Sequence, residues 1–288
     1  MKVAKVESSS RDADNPSSNF GIENAQMFGL ESLLKVVWSG VTLIGPRNLE
    51  PFVPKRYRNT RFYFKTDVPL VALTIDDGLC RGEVGCCWAR KVSALLRKHE
   101  ARATFFVCSN YLQGVEGEVT ALVQEGHEIG NHLEEDLPGV YANLTRDEVA
   151  ASLARSTRCI EDITGVGKVK WFRAPQGMLS QAMSEAVDKQ GLTHALGDTY
   201  ADDWAMRASP RFVARTMLRQ VKHGSICVTH MPEAGFREHT FQSLSMLLDG
   251  LTARGIKCVT LSALERRVAK TQERPTPPSP TTVTVSGL

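Results

Sequence analysis

Residues 71–78 read VALTIDDG, a short apolar run that ends on two aspartates and a glycine. The run is rich in β-branched residues and is too short for a helix, so it predicts a buried β-strand. Asp76, Asp77 and Gly78 are compatible with an ordinary turn, because Asp and Gly favour turns. Two adjacent carboxylates at the end of a buried strand repel each other, however, unless a cation or an arginine separates their roles.

Short apolar runs alternate with helical patterns on the C-terminal side of this strand. Seven strand-like runs are predicted, at residues 71–75, 103–108, 128–130, 170–173, 192–196, 225–229 and 257–261. Helical patterns separate them, and residues 146–163 are the clearest, because Thr145 and Glu148 form a capping box at their start. The alternation favours parallel βαβ units, either closed into one distorted (β/α)7 barrel or laid out as an open sheet.

The glycines after the first strand argue against a nucleotide-binding fold. Gly78, Gly82 and Gly85 fit neither of the two common phosphate-binding glycine patterns.

The 35 basic and 32 acidic residues are mixed along the 288-residue chain and leave a net charge of +3. A nucleic-acid-binding protein concentrates basic residues on one face, so the sequence predicts no nucleic-acid partner.

The pattern divides the chain into four segments. Residues 1–19 and the Pro/Thr-rich residues 269–288 are too polar to form a core and are predicted to be disordered tails. Residues 20–67 are predicted to be an N-terminal extension, and residues 68–268 the barrel. Within the extension, residues 30–44 predict an amphipathic helix that packs on the barrel or, as the alternative, lies on a membrane surface. They are too short to cross a membrane.

The start of the chain and its cysteines bear on the compartment. Residues 1–19 lack the apolar stretch of a secretory signal. The seven cysteines are odd in number, and Cys86-Cys87 lacks the spacing of a zinc site. Buried or idle thiols are therefore predicted, and both features favour the cytoplasm.

Polar side chains follow five of the predicted strands. Active sites of α/β folds form where the carboxyl ends of the strands meet, so these side chains are expected to share one rim. In chain order they are Asp76 and Asp77, then Asn131 and His132 with Glu134, Glu135 and Asp136, then Arg173, then Asp198 with Asp202 and Asp203, and finally His230. Pro175 and Trp204 lie beside them in the sequence.

Asp77, His132 and Asp136 have the residue types of a metal site. Asp136 follows His132 at the fourth position, and this spacing lets both side chains reach one ion from a helical turn. Three protein ligands with an open position are typical of a catalytic metal. Two carboxylates and one imidazole suit zinc, and also manganese, cobalt or iron. The alternative for His132 is an ordinary loop histidine with satisfied hydrogen bonds.

The order of these motifs resembles that of the polysaccharide deacetylases, which are carbohydrate esterase family 4 and carry the NodB-homology domain. Residues 74–78 (TIDDG) are similar to the family's TFDDG motif, and residues 126–132 (GHEIGNH) resemble the stretch that leads into its H-[ST]-x-x-H metal motif. Residues 172–177 (FRAPQG) resemble its R-x-P motif. Residues 202–204 (DDW) and 228–230 (VTH) match its last two motifs more loosely. The resemblance covers roughly residues 68–268.

The resemblance implies a fold and a reaction. The fold is the single distorted (β/α)7 barrel of the NodB-homology type, and the reaction is metal-assisted removal of N-acetyl or O-acetyl groups from a carbohydrate such as chitin or chitooligosaccharide. Site roles follow by motif: Asp77, His132 and Asp136 as metal ligands, most readily for zinc, Asp76 as base, Arg173 as its partner, His230 as acid, Asp203 as its partner, and Trp204, Val228 and Pro175 as substrate contacts.

One position departs from the family pattern. Asp136 stands where the family usually has its second metal histidine, so Glu134 and Glu135 remain alternatives for the third ligand. Two other functions stay open for the same reason: a cyclic amide or imide hydrolase on the same barrel, and an inactive carbohydrate-binding pseudoenzyme. The family is usually secreted, which conflicts with the predicted cytoplasmic location.

Overall fold

β1 (Leu70–Gly78) lies at the centre of a parallel sheet in the computed structural model, which describes residues 16–81, 84–165 and 167–272. The other strands are β2 (Thr104–Val107), β3 (Glu128–Asn131), β4 (Trp171–Phe172), β5 (Thr193–His194), β6 (Ile226–His230) and β7 (Lys257–Val259). Their order is β5-β4-β3-β2-β1-β6, and β7 pairs with the first residues of β1. Every ladder is parallel, which confirms the predicted α/β barrel class.

Helices connect the strands and cover the outside of the sheet. They are α1 (Pro16–Ile44), α2 (Ala89–Lys98), α3 (Glu116–Gln124), α4 (Arg146–Thr164), α5 (Gln181–Lys189), α6 (Pro210–Gln220), α7 (Glu238–Ala253) and α8 (Leu261–Gln272). α4 begins with the capping box of Thr145 and Glu148, as predicted, and ends at Gly165 in the left-handed conformation.

The N-terminal extension fills a gap in the barrel between β5 and β6. α1 packs on α6, and the turn of residues 55–57 packs on α5. Arg61 pairs with Ala195 beyond β5, and Tyr63 pairs with Ser225 before β6. The extension thus closes the side of the barrel on which the strands do not pair continuously.

α8 closes the barrel at the amino-terminal ends of the strands. The Leu261 N–H donates to Thr104 Oγ1 at the start of β2, and Trp171 Nε1 donates to Ser262 Oγ. Leu261 and Leu264 join the inner apolar cluster around Phe106 and Trp171. With this end filled by side chains, the opposite end is left for a site.

Several boundaries differ from the sequence prediction. α1 begins at Pro16, inside the predicted tail of residues 1–19, and α8 runs to Gln272, inside the predicted tail of residues 269–288. α8 itself was not predicted, because residues 257–261 were assigned to a strand that ends at Val259. Residues 1–15 and 273–288 of the predicted tails lie outside the described residues. Within the described residues, no helix is both long and apolar enough to span a bilayer.

Gly224 permits a close backbone approach between the extension and the start of β6. Its φ is +78°, and a Cβ atom there would lie 1.9 Å from the carbonyl oxygen of Phe64. We therefore expect Gly224→Ala to lower the free energy of unfolding by about 2–4 kcal/mol, measured by urea denaturation. Gly139→Ala is the matched control, because its φ is +81° with no atom within 4 Å of the added Cβ. Equal losses in the two variants would contradict the close-contact explanation.

Candidate active site

A cavity of about 590 Å³ opens at the carboxyl ends of the strands. Its ionisable lining residues are Asp76, Asp77, Asp136, Asp202, Arg81, Arg173, Arg207, Arg237, His132, His230 and Tyr200. Trp204, Val228, Gln176 and Phe236 also line it. The predicted convergence of polar strand ends is therefore present, although not every predicted residue takes part.

Asp77, His132 and Asp136 form a buried group in which one ligand atom of each lies within 4.8 Å of the others. His132 Nδ1 lies 2.8 Å from the carbonyl oxygen of Arg173. Because a carbonyl only accepts, Nδ1 carries a proton and Nε2 faces the two aspartates. Nε2 is 3.3 Å from Asp136 Oδ2 and 3.7 Å from Asp77 Oδ1.

Two atoms of this group lack the hydrogen bonds that buried polar atoms normally make. Asp77 Oδ1 and His132 Nε2 are buried and have no hydrogen-bond partner among the described residues. Both point at the same small space. Two carboxylate oxygens and one imidazole nitrogen around that space fit a divalent metal ion.

The second carboxylate oxygens of Asp77 and Asp136 accept hydrogen bonds from neighbouring side chains and backbone. Asp77 Oδ2 accepts from Arg81 Nη2 at 2.7 Å and from Arg237 Nη1. Asp136 Oδ1 accepts from the backbone N–H of Gln176 at 3.0 Å and from its side-chain amide. Such outer contacts fix the orientation of metal ligands. The sequence prediction missed Arg81, Arg237 and Gln176; Gln176 was at least inside the quoted FRAPQG stretch.

The charges around Asp77 favour its ionised form. Burial raises the pKa of Asp77, but the charges of His230, Arg237, His132 and Arg81 outweigh it and lower the pKa well below its usual value. For His132, burial lowers the pKa, but the contact with Asp136 and the nearby carboxylates raise it to about 9. With this pKa, His132 Nε2 carries a proton at neutral pH. A metal ion would have to displace that proton, because only neutral imidazole coordinates.

Asp76 is paired with a fully enclosed arginine. Arg173 Nη1 donates to Asp76 Oδ1 at 2.6 Å and to Thr74 Oγ1 at 2.7 Å. Its Nε and Nη2 atoms donate to the carbonyl oxygens of Ala195 and Leu196. The guanidinium is thus fixed by four hydrogen bonds, and it holds one oxygen of Asp76 at the cavity wall.

His230 and Asp203 form the second fixed pair. His230 Nδ1 lies 2.6 Å from Asp203 Oδ1, and the backbone N–H of His230 donates to Asp203 Oδ2 at 2.9 Å. Burial lowers the pKa of His230, but the charge and hydrogen bond of Asp203 and the charge of Asp77 raise it above the usual value. The upward shift favours the protonated imidazole, which is the form that a proton donor requires.

The Asp203–His230 contact leads to a pH prediction. In Asp203→Asn the negative charge that raises the pKa of His230 is gone, so His230 loses its proton at lower pH. If protonated His230 is required, the alkaline limb of the pH profile of kcat/KM moves to lower pH, by about one unit. The measurement is acetate release across the pH range. Asp249→Asn, on the exposed side of α7, is the control and keeps the wild-type profile. An unmoved limb in Asp203→Asn contradicts the assignment.

Five residues of the predicted rim lie elsewhere. Asn131 is buried, and its side-chain amide donates to Ser156 Oγ at 2.9 Å. Pro175 is buried in the turn that carries Gln176 and is not among the lining residues, so its assignment as a substrate contact stays a prediction. Asp198 accepts from the Ile226 N–H at the opposite end of β6. Glu134 pairs with Arg155, and neither it nor Glu135 belongs to the ligand group found among the described residues. Trp204 and Val228 do line the cavity.

Comparisons with known proteins agree with the fold and with the family that the sequence motifs resemble. The family model of the polysaccharide deacetylases matches residues 64–195. A chitooligosaccharide deacetylase of Azorhizobium caulinodans is 31% identical over 176 residues, which are 57% of this chain and 81% of the relative. A peptidoglycan-N-acetylglucosamine deacetylase of Bacillus cereus is 29% identical over 218 residues, 71% of this chain and 93% of the relative. The chain belongs to the polysaccharide deacetylase family.

Other similar proteins differ in length or in activity. The chain spans 60% of the length of an uncharacterised Bacillus subtilis protein, to which it is 26% identical over 206 residues, 71% of this chain. A family 4 acetyl xylan esterase from Clostridium thermocellum, solved with a cobalt ion, superposes with a TM-score of 0.59 at 28% identity, covering 69% of this chain and 91% of the esterase. A family 4 pseudoenzyme from Bacillus anthracis gives a TM-score of 0.59 at 23% identity, covering 70% and 67%. This last likeness concerns the fold alone.

Proposed function

We propose that the protein is a metal-dependent hydrolase that removes N-acetyl groups from a carbohydrate of the chitooligosaccharide type. One observation carries the proposal: a single cavity holds the Asp77–His132–Asp136 group together with Asp76 and His230, each fixed by its own buried partner. The names of the chitooligosaccharide and peptidoglycan deacetylases among its relatives support the same class of substrate.

Different residues of the site bind the metal, take up a proton and donate a proton in the proposed reaction. Asp77, His132 and Asp136 would hold a divalent ion, which when bound would supply Lewis acidity toward the acyl carbonyl and water. Asp76 takes a proton from the water that attacks the acetamide carbon, and Arg173 holds this carboxylate in place. His230 gives its proton to the departing sugar amine, and Asp203 stabilises the imidazolium beforehand. The C–N bond breaks, and the products are acetate and the free amine.

We propose zinc as the ion, with cobalt, manganese and iron as alternatives. Zinc accepts imidazole and carboxylate ligands and leaves a position open in catalytic sites. The two carboxylates make this donor set richer in oxygen than a site with two histidines, and oxygen ligands suit manganese as well. The activity that each ion restores to the metal-free protein, measured separately, ranks the four metals.

The test is acetate release from N-acetylglucosamine oligomers after removal of metal with EDTA. We expect no release from the metal-free protein and recovery with one equivalent of zinc or a related ion. A cyclic imide serves as a comparison substrate and is expected to remain intact. Hydrolysis of the imide without acetate release would instead identify the cyclic amide hydrolase.

A second candidate is a sugar-binding protein without turnover, and one observation favours it. Arg81 and Arg237 both pair with Asp77 and weaken its attraction for a cation. Against it stand Asp76 and His230, which a binding protein does not require. Binding of the oligomers, measured by calorimetry, without acetate release under any of the four metals would support this candidate.

A further inference from the structure

The N-terminal extension holds both ends of the segment formed by residues 198–209, which runs along one wall of the cavity. Near its C-terminal end, Glu31 accepts from the Ala208 N–H and from Ser209 Oγ, each at 2.9 Å. At its N-terminal end, Arg47, just beyond α1, donates to Asp198 at 2.6 Å. Glu31 is 2% exposed, so this anchor is shielded from water.

The middle of the 198–209 segment is held by Trp38. Its Nε1 atom donates to Asp202 Oδ2 at 2.8 Å. Trp38 follows Glu31 by seven residues, which is two helical turns, so both side chains leave the same side of α1. Three contacts with the extension therefore fix the segment along its whole length.

Asp202 needs such an anchor because of its backbone. Its φ is +42°, in the left-handed region that non-glycine residues rarely occupy without outside support. The next residue, Asp203, is the partner of His230. A change in the backbone at Asp202 therefore moves the carboxylate that stabilises the proposed acid.

The ring of Trp38 supports the same wall. It meets Tyr200 edge-to-face, with ring centroids 5.2 Å apart. Another neighbour of Tyr200 is His230, whose ring centroid lies 6.1 Å away, and the Tyr200 hydroxyl accepts from Trp204 Nε1 at 3.0 Å. Trp38 thus packs on Tyr200, which in turn accepts from Trp204, and both of these residues line the cavity.

We propose that Trp38 is a positioning residue, which through Asp202 and Tyr200 holds Asp203 against His230 and Trp204 at the rim of the cavity. Trp38 lies on α1, so the N-terminal extension contributes to a site that the barrel residues build. The inference rests on the proposed function, because His230 is the acid only if the protein hydrolyses an amide.

The test variant is Trp38→Phe, which keeps an aromatic ring against Tyr200 but removes the Nε1–H donor. We expect kcat/KM for acetate release to fall about 10-fold. We also expect the alkaline limb of its pH profile to move to lower pH, because a looser Asp203 raises the pKa of His230 less. The charged and titratable groups that face His230 are Asp203, Asp77, Arg237 and Tyr200, and of these the variant loosens the two on the 198–209 segment.

Leu33→Gln is the control, because Leu33 is 61% exposed on the outer side of α1. It is expected to keep the wild-type kcat/KM and pH profile. Urea denaturation of both variants establishes that each is folded under the assay conditions, so a lower activity is not a loss of folded protein.

A second readout does not need turnover. The pKa of His230, followed by NMR of histidine-labelled protein, and amide hydrogen exchange in residues 198–209 both report on the anchor. We expect a lower pKa and faster exchange in Trp38→Phe. If wild-type protein releases no acetate, the proposed function fails, and these two measurements still decide the structural part. An unchanged His230 pKa with unchanged exchange overturns the role of Trp38.

Discussion

Asp76→Asn is expected to lower kcat for acetate release by about 10²–10⁴-fold. The variant keeps the shape of the side chain and an oxygen that can accept from Arg173, but an amide cannot take a proton from the attacking water. KM is expected to change little, because Asp76 acts on the water rather than on the sugar. The measurement is steady-state acetate release at a fixed zinc concentration.

Two controls make the Asp76→Asn result specific. Metal content by mass spectrometry is expected to stay at the wild-type level, because Asp76 is not in the ligand group. Glu134→Gln removes another carboxylate that is paired with an arginine, at 2.9 Å from Arg155, and is expected to keep activity. Full activity in Asp76→Asn would remove the base from the mechanism and leave the reaction unexplained.

His132→Ala is expected to lower activity by about 10³-fold or more, because the Lewis acid is lost together with its ligand. Asp77 and Asp136 remain, but without Nε2 the site loses its nitrogen donor, and two carboxylates alone hold zinc poorly. The measurement pairs metal content with acetate release. His223→Ala, at an exposed histidine, is the control for a general effect of histidine loss. Wild-type metal content in His132→Ala would contradict the ligand assignment.

Local patterns predicted the strands and most of the site. The apolar run of residues 71–75 lies in the buried strand β1, and Asp76 and Asp77 stand at its carboxyl end as expected. His132 and Asp136 lie together as predicted, but no helical turn joins them: residues 132–137 are irregular, and Leu133 has a φ of +61°. These predictions depend on residues close together in the chain, and that is where a sequence pattern is informative.

The missed features depend on residues far apart in the chain. Arg237 lies 160 positions from Asp77, and Trp38 lies 164 positions from Asp202, so no local pattern connects them. Asp198 looked like a rim residue because it follows a predicted strand, but it is bound to Ile226 at the other end of β6. α8 was missed because its first residues continue the apolar pattern of β7.

The most direct measurement of the metal site is crystallography on protein loaded with zinc, with data collected at the zinc absorption edge. The account predicts one anomalous peak per chain, bounded by Asp77 Oδ1, His132 Nε2 and Asp136 Oδ2. A peak at another position, or none there in crystals of zinc-saturated protein, would contradict it.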